Sequence, residues 1–270
     1  MAGSPLFVAY WLGYDNQNMA VSDLPSYVDV VDLFLINLNP DTTLSTNYIT
    51  SNGMSWQDIL TGAQALQKNG TRVLASIMST QNPHISWNTI ADPATFASQV
   101  KSIVVDTWGL DGIDIDPEID KGVAPNDTFI QVVKELSSYF GPNSGTGKMM
   151  TYASFDLDLD GALLKQVGAS FDYVGLMGYF WNFGQMKSEF KRYAKIMGDE
   201  NVLLGVAAGN GAITPFSEVV ELAEWNPSHG SKGGMLLYDI NNDANFTYAS
   251  AINQHMKSPG QQARTRTAGH

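Results

Sequence analysis

Apolar runs of five to ten residues recur eight times along the chain, and most of the stretches between them carry helical period. No other feature limits the fold as tightly, because short buried strands alternating with amphipathic helices are the pattern of a parallel sheet covered by helices. The runs are Leu6–Trp11, Val30–Leu38, Arg72–Met78, Gly112–Pro117, Met149–Phe155, Tyr173–Tyr179, Val202–Ala208 and Gly234–Ile240. Helical period fills Trp56–Lys68, Ala94–Thr107, Thr128–Phe140, Met186–Met197, Phe216–Trp225 and Ala244–Met256, whereas residues 12–29 lack it. Asp92-Pro93 and Asn126-Asp127-Thr128 read as helix starts, and Lys68-Asn69-Gly70 as a helix end.

Eight strands and about as many helices in 270 residues point to the α/β class and to a closed (β/α)8 TIM barrel, a single catalytic domain over residues 1–257. An open doubly wound sheet would need a glycine-rich phosphate loop after the first strand, and Trp11-Leu12-Gly13-Tyr14-Asp15 does not supply one. Residues 209–233 hold one short helix and leave no room for an inserted α+β domain. Residues 258–270 are polar and contain Gly and Arg, so a flexible tail is expected there.

Composition narrows the chemistry. With 15 Lys+Arg against 27 Asp+Glu the net charge is −12, which repels nucleic acid and anionic lipid. The absence of cysteine excludes disulfides, thiolate catalysis and cysteine-bound zinc. The histidines at 84, 229, 255 and 270 form no HxxxH or HExxH pattern, so neither a metal nor another cofactor is expected. No apolar run reaches the roughly 18 residues of a membrane span, and the opening Met1-Ala2-Gly3-Ser4-Pro5 lacks the parts of a signal peptide. A soluble monomer is expected.

The segment Gly109–Asp120 reads GLDGIDIDPEID. Period two sends Asp114, Asp116 and Glu118 to one face of a strand and Ile113, Ile115 and Pro117 to the other. In a barrel strand the isoleucines would pack under helices and the acids would enter the interior, where like charges push at least one pKa upward. Two other readings of an IDID run are a solvent-facing acidic face and a site for a hard cation. Paired carboxylates also suit glycosidic cleavage, in which one must be protonated to serve the leaving oxygen. Glu118, at the strand's mouth, is the natural acid. Asp116 sits where it could orient a nucleophile or balance positive charge, and Asp114 could hold Asp116 by sharing a proton.

DGIDIDPE, Asp111 to Glu118, resembles the DGxDxDxE signature of the family 18 glycoside hydrolases, and Met177-Gly178-Tyr179 resembles that family's MxY. The chain is most similar to small single-domain endo-β-N-acetylglucosaminidases of the endoglycosidase H type, also at Ala9-Tyr10, Val73–Ser76, Ala124–Phe129 and Phe171–Tyr173. This resemblance implies a retaining, substrate-assisted mechanism. Glu118 would protonate the glycosidic oxygen while the substrate's 2-acetamido carbonyl attacks the anomeric carbon to give an oxazolinium ion. Asp116 would steady the acetamido nitrogen, and Tyr179 would hydrogen-bond the acetamido oxygen. The implied substrate is an N-linked glycan or another GlcNAc-containing oligosaccharide, and the implied location is outside the cytoplasm. Phe180, Ser76–Ser79 and Tyr238 depart from the patterns usual in chitinases, which favours the endoglycosidase over a chitinase. A non-catalytic sugar-binding barrel is the remaining alternative, and the presence of Glu118 speaks against it.

Sugars lay their apolar faces on aromatic rings. Tyr10, Trp11, Tyr14, Phe155, Tyr179, Trp181 and Tyr238 fall near expected strand ends. Of these, Tyr10, Trp11, Trp181 and Tyr238 are substrate-binding candidates, together with Asn182 and with Asp111 and Met177 from the two motifs.

Overall fold

The computed structural model describes residues 4–15, 19–39, 41–79, 86–117, 122–209 and 212–256. Eight parallel strands form its centre: β1 (Leu6–Leu12), β2 (Val30–Leu38), β3 (Arg72–Ser79), β4 (Gly112–Asp116), β5 (Met149–Ser154), β6 (Tyr173–Leu176), β7 (Val202–Gly209) and β8 (Gly234–Tyr238). Each pairs with the next, and β1 pairs with both β2 and β8, which closes the barrel. Two-residue strands at Leu44–Ser45 and Ala212–Ile213 add antiparallel flaps to β2 and β7.

The outer layer consists of α1 (Trp56–Lys68), α2 (Pro93–Lys101), α3 (Asp127–Leu136), α4 (Leu157–Val167), α5 (Phe183–Met197), α6 (Phe216–Glu224) and α7 (Thr247–Met256). Local chemistry fixes several ends. Asp92 caps α2 by accepting from Thr95 N, with Pro93 at the first helical position, and Asn126 caps α3 by accepting from Phe129 N. Gly70, which follows α1, has φ +94°, a conformation that glycine adopts without a side-chain penalty. Among the described residues, the first connection holds only 3-10 turns, at Gly13–Asp15 and Val21–Asp23. No described helix is long and apolar enough to cross a membrane.

Sequence period and structure differ at several places, three of them with a clear local cause. The run expected to reach Tyr179 ends as a strand at Leu176, because Gly178 N turns back to Leu176 O at 2.9 Å. The period-two string Leu157-Asp158-Leu159-Asp160 hides α4, which starts because the Asp156 side chain accepts from Asp158 N. The last expected helix is interrupted by a kink at Asn245 and runs as α7 only from Thr247. The tail expected from residue 258 lies outside the described residues.

Side-chain parity divides the core in two. One large cluster lies between sheet and helices and includes Ala9, Trp11, Val31, Leu33, Ile113 and Ile115. A smaller cluster fills the lumen with Val8, Tyr10, Leu12, Val30, Phe34, Leu74, Tyr173, Leu203 and Leu236. Along β1 the two sets alternate residue by residue, as a strand with two buried faces requires.

The amino end of the barrel carries a repeated device. Asp29, Asp111 and Asp172 precede or open the way into β2, β4 and β6, and each accepts a backbone N–H from the preceding strand: Phe7 at 2.8 Å, Val73 at 3.0 Å and Met150 at 2.8 Å. These carboxylates satisfy strand-entry donors that would otherwise lack a partner.

Candidate active site

Strand β4 enters the lumen with Asp114 and Asp116, which are 1% and 2% exposed, while Ile113 and Ile115 pack under the helices. The interior, not solvent, therefore receives the acidic face. Sheet register sets Ser76 of β3 and Thr151 of β5 directly beside Asp114. Ser76 Oγ and Tyr10 Oη donate to Asp114 Oδ2 at 2.8 and 2.9 Å, and Thr151 Oγ1 donates to Oδ1 at 2.7 Å. Burial pushes the Asp114 carboxyl above its ordinary pKa, and the three hydroxyls pull it back. These three donors favour the charged form of Asp114.

Asp32 of β2 is a third lumen acid that sequence reasoning missed. It pairs in register with Tyr10 and Leu74 and is fully buried. Neither of its oxygens meets a hydrogen-bond partner among the described residues. Burial above all, and then the charges of Asp114 and Asp116, push its pKa well above the ordinary carboxylate value and favour the neutral form. No lysine, arginine or histidine is buried in the lumen among the described residues.

At the mouth, Tyr179 stacks on Tyr238 with centroids 5.1 Å apart and planes at 22°. Tyr238 also lies 6.4 Å from Tyr10 and 6.0 Å from Phe34, and its hydroxyl is 3.4 Å from that of Tyr14. Tyr14, Tyr179 and Tyr238 thus form one aromatic wall at the mouth, resting on Tyr10, whose hydroxyl reaches down to Asp114. On the opposite side Phe155 and Trp181 stack at 6.4 Å, and Met177 lines a cavity beside Pro117. Glu118 lies outside the described residues.

Two expected substrate contacts are corrected, and a third residue has a structural role as well. Trp11 is fully buried between the sheet and its helices, and its Nε1 donates to Met19 O at 3.2 Å, because it is the odd neighbour of the lumen residue Tyr10. Asp111 stands at the amino end of β4, about 16 Å of strand from Asp116. It holds Val73 N and Gln67 Nε2 there, with Lys148 Nζ 3.5 Å away. Asn182 caps α5: its oxygen accepts from Gln185 N at 3.0 Å, and the Gln185 side chain returns to Asn182 N at 3.0 Å.

Residues 9–237 match the family model described as the endo-β-N-acetylglucosaminidase EndoS TIM-barrel domain. The chain belongs to this family. As a family 18 endo-β-N-acetylglucosaminidase barrel, it is 28% identical over 244 residues to endo-β-N-acetylglucosaminidase F2 of Elizabethkingia meningoseptica, covering 83% of this chain and 68% of that protein. It is 30% identical over 192 residues to an endo-β-N-acetylglucosaminidase of Bifidobacterium longum subsp. infantis, covering 65% of this chain but only 33% of that longer protein. A solved endo-β-N-acetylglucosaminidase from Cordyceps militaris shares the fold with a TM-score of 0.73 at 21% identity, over 95% of this chain and 92% of that one. Chitinases share the barrel too, at 19% identity. The barrel therefore does not by itself separate the two activities.

Proposed function

We propose that this endo-β-N-acetylglucosaminidase cuts the bond between the two core N-acetylglucosamines of N-linked glycans with retention of configuration. The observation that carries this reading is the order along β4: Asp114 held by three hydroxyls, Asp116 one inward step nearer the mouth, and the phenols of Tyr179 and Tyr238 above them. In the proposed reaction the 2-acetamido group lies against Asp116 and Tyr179, and its carbonyl oxygen attacks the anomeric carbon. Glu118 gives its proton to the departing oxygen and later takes one from the incoming water. Asp116 faces the positive charge that develops on the acetamido nitrogen, and Asp114 supplies the fixed negative charge beneath it.

Incubation with a high-mannose glycoprotein, followed by intact-mass analysis, should leave one N-acetylglucosamine on each modified asparagine. An unchanged mass after prolonged incubation counts against the assignment. Short chitin oligosaccharides should be cleaved poorly, and efficient turnover of them would instead make the protein a chitinase.

A further inference from the structure

The two walls of the mouth differ in chemistry. The wall formed by Tyr14, Tyr179 and Tyr238 presents phenol rings, whereas the β4–β6 side contains a cavity of about 290 Å³ whose apolar lining includes Pro117, Val123, Phe129, Phe155, Leu159 and Met177. Val123 and Phe155 stand 58% and 45% exposed at its edge, so apolar surface faces the approaching substrate.

Several of the polar side-chain atoms of this cavity are already engaged. Asn88 Oδ1 accepts from Asn126 N at 2.9 Å, and Asn88 Nδ2 donates to Ala124 O at 3.2 Å. Asp156 Oδ1 is occupied in capping α4, accepting from Asp158 N at 2.8 Å. Asp160, pushed up to about 6 by burial, accepts from Tyr152 Oη at 2.9 Å and from Ser154 Oγ at 2.5 Å. A sugar entering here would lose water from its hydroxyls and find few free partners, whereas an apolar group would lose nothing of that kind. Concave and mostly apolar, the cavity has the character of a binding site for such a group.

Position relates it to the reaction. Pro117 joins Asp116 to residue 118, and Met177 lies two residues before Tyr179. With the acetamido sugar on the tyrosine wall, the cavity flanks the other side of the scissile bond, where the leaving group emerges. We propose that it is a subsite for the leaving-group side of the substrate and takes an apolar side chain of the polypeptide next to the glycosylated asparagine. This inference rests on the N-glycan reading above.

The test uses two glycopeptides with the same high-mannose glycan, one with leucine and one with serine beside the asparagine, plus the free glycan without peptide. Wild type should show a kcat/KM about tenfold higher for the leucine peptide, the scale of discrimination in a hydrophobic pocket. Leu159→Ser should reduce that preference to less than about twofold without changing turnover of the free glycan. Val123→Ser should act in the same direction, and its exposed site keeps the fold out of question. Equal rates on both peptides overturn the subsite and leave the activity standing, as does a Leu159→Ser variant slowed equally on all three substrates. Failure to cleave any of the three overturns the endoglycosidase reading and the subsite with it.

Discussion

Asp32 and Asp114 both point into the barrel lumen, but Asp32 shares none of the hydroxyl donors that Asp114 collects. The two carboxyls therefore meet opposite surroundings. Three donors favour the charged form of Asp114, each charge-assisted bond contributing about 1.5–3 kcal/mol, whereas desolvation without donors favours the neutral form of Asp32.

The state of Asp32 has a measurable consequence for stability. In the unfolded chain this carboxyl ionises near its ordinary pKa of about 3.9, while burial keeps it protonated in the fold. The folded state then binds more protons, so wild-type stability falls as pH rises above that value. Asp32→Asn removes the titration. Its stability relative to wild type should climb with pH by up to about 1.4 kcal/mol per unit, read from urea unfolding between acid and neutral pH. A difference that does not change with pH would mean that Asp32 is ionised in the fold.

Tyr10→Phe removes one donor from Asp114 while keeping the ring that packs against Phe34 and Tyr238. Hydrogen bonds to a carboxylate lower its pKa, so losing one raises it, adding to the upward push from burial. The acid limb of kcat/KM should move to higher pH by about one unit, with activity at the optimum reduced less than on the acid side. An acid limb that stays in place would show that the Asp114 charge does not support turnover.

Which side chains reach the lumen was legible only where sequence marked the two faces differently. In β4 the alternation of Asp with Ile names the inner face outright, and the same parity carried across the register would have found Ser76 and Thr151. Asp32 gave a signal as well, as a lone acid inside the apolar run Val30–Leu38. In β1, by contrast, Leu-Phe-Val-Ala-Tyr-Trp-Leu is apolar on both faces, and nothing local tells Tyr10 from Trp11. Asn182 carried two meanings, sugar contact and helix cap, and Gln185 three residues on was the sign of the second. Asp111 belongs to the motif in sequence but to the opposite end of the barrel in space.

Asp111→Ala separates these two kinds of residue. It leaves Val73 N without its carboxylate partner and frees Lys148 from its ion pair, while every group at the mouth keeps its place. The expected cost is about 1–3 kcal/mol of unfolding free energy for the orphaned donor. kcat and KM of the folded enzyme should remain within about twofold of wild type, as expected when neither ground-state nor transition-state binding is touched. A large fall in kcat without loss of stability would return Asp111 to the substrate-contacting set.

Glu118 and Asp116 should respond differently to the leaving group. Glu118→Gln takes away the proton donor with little change in shape and should lower turnover of a glycoprotein by about 10²- to 10⁴-fold. Asp116→Asn keeps the donor but removes the negative charge that faces the acetamido nitrogen as the carbonyl oxygen attacks. A substrate whose leaving group departs as a stable phenolate needs no proton in the first step. Release of phenolate should therefore recover in Glu118→Gln, at least for the initial burst, and stay slow in Asp116→Asn. Equal recovery in both variants, or in neither, would mean that proton transfer and acetamide orientation are not divided between these two residues.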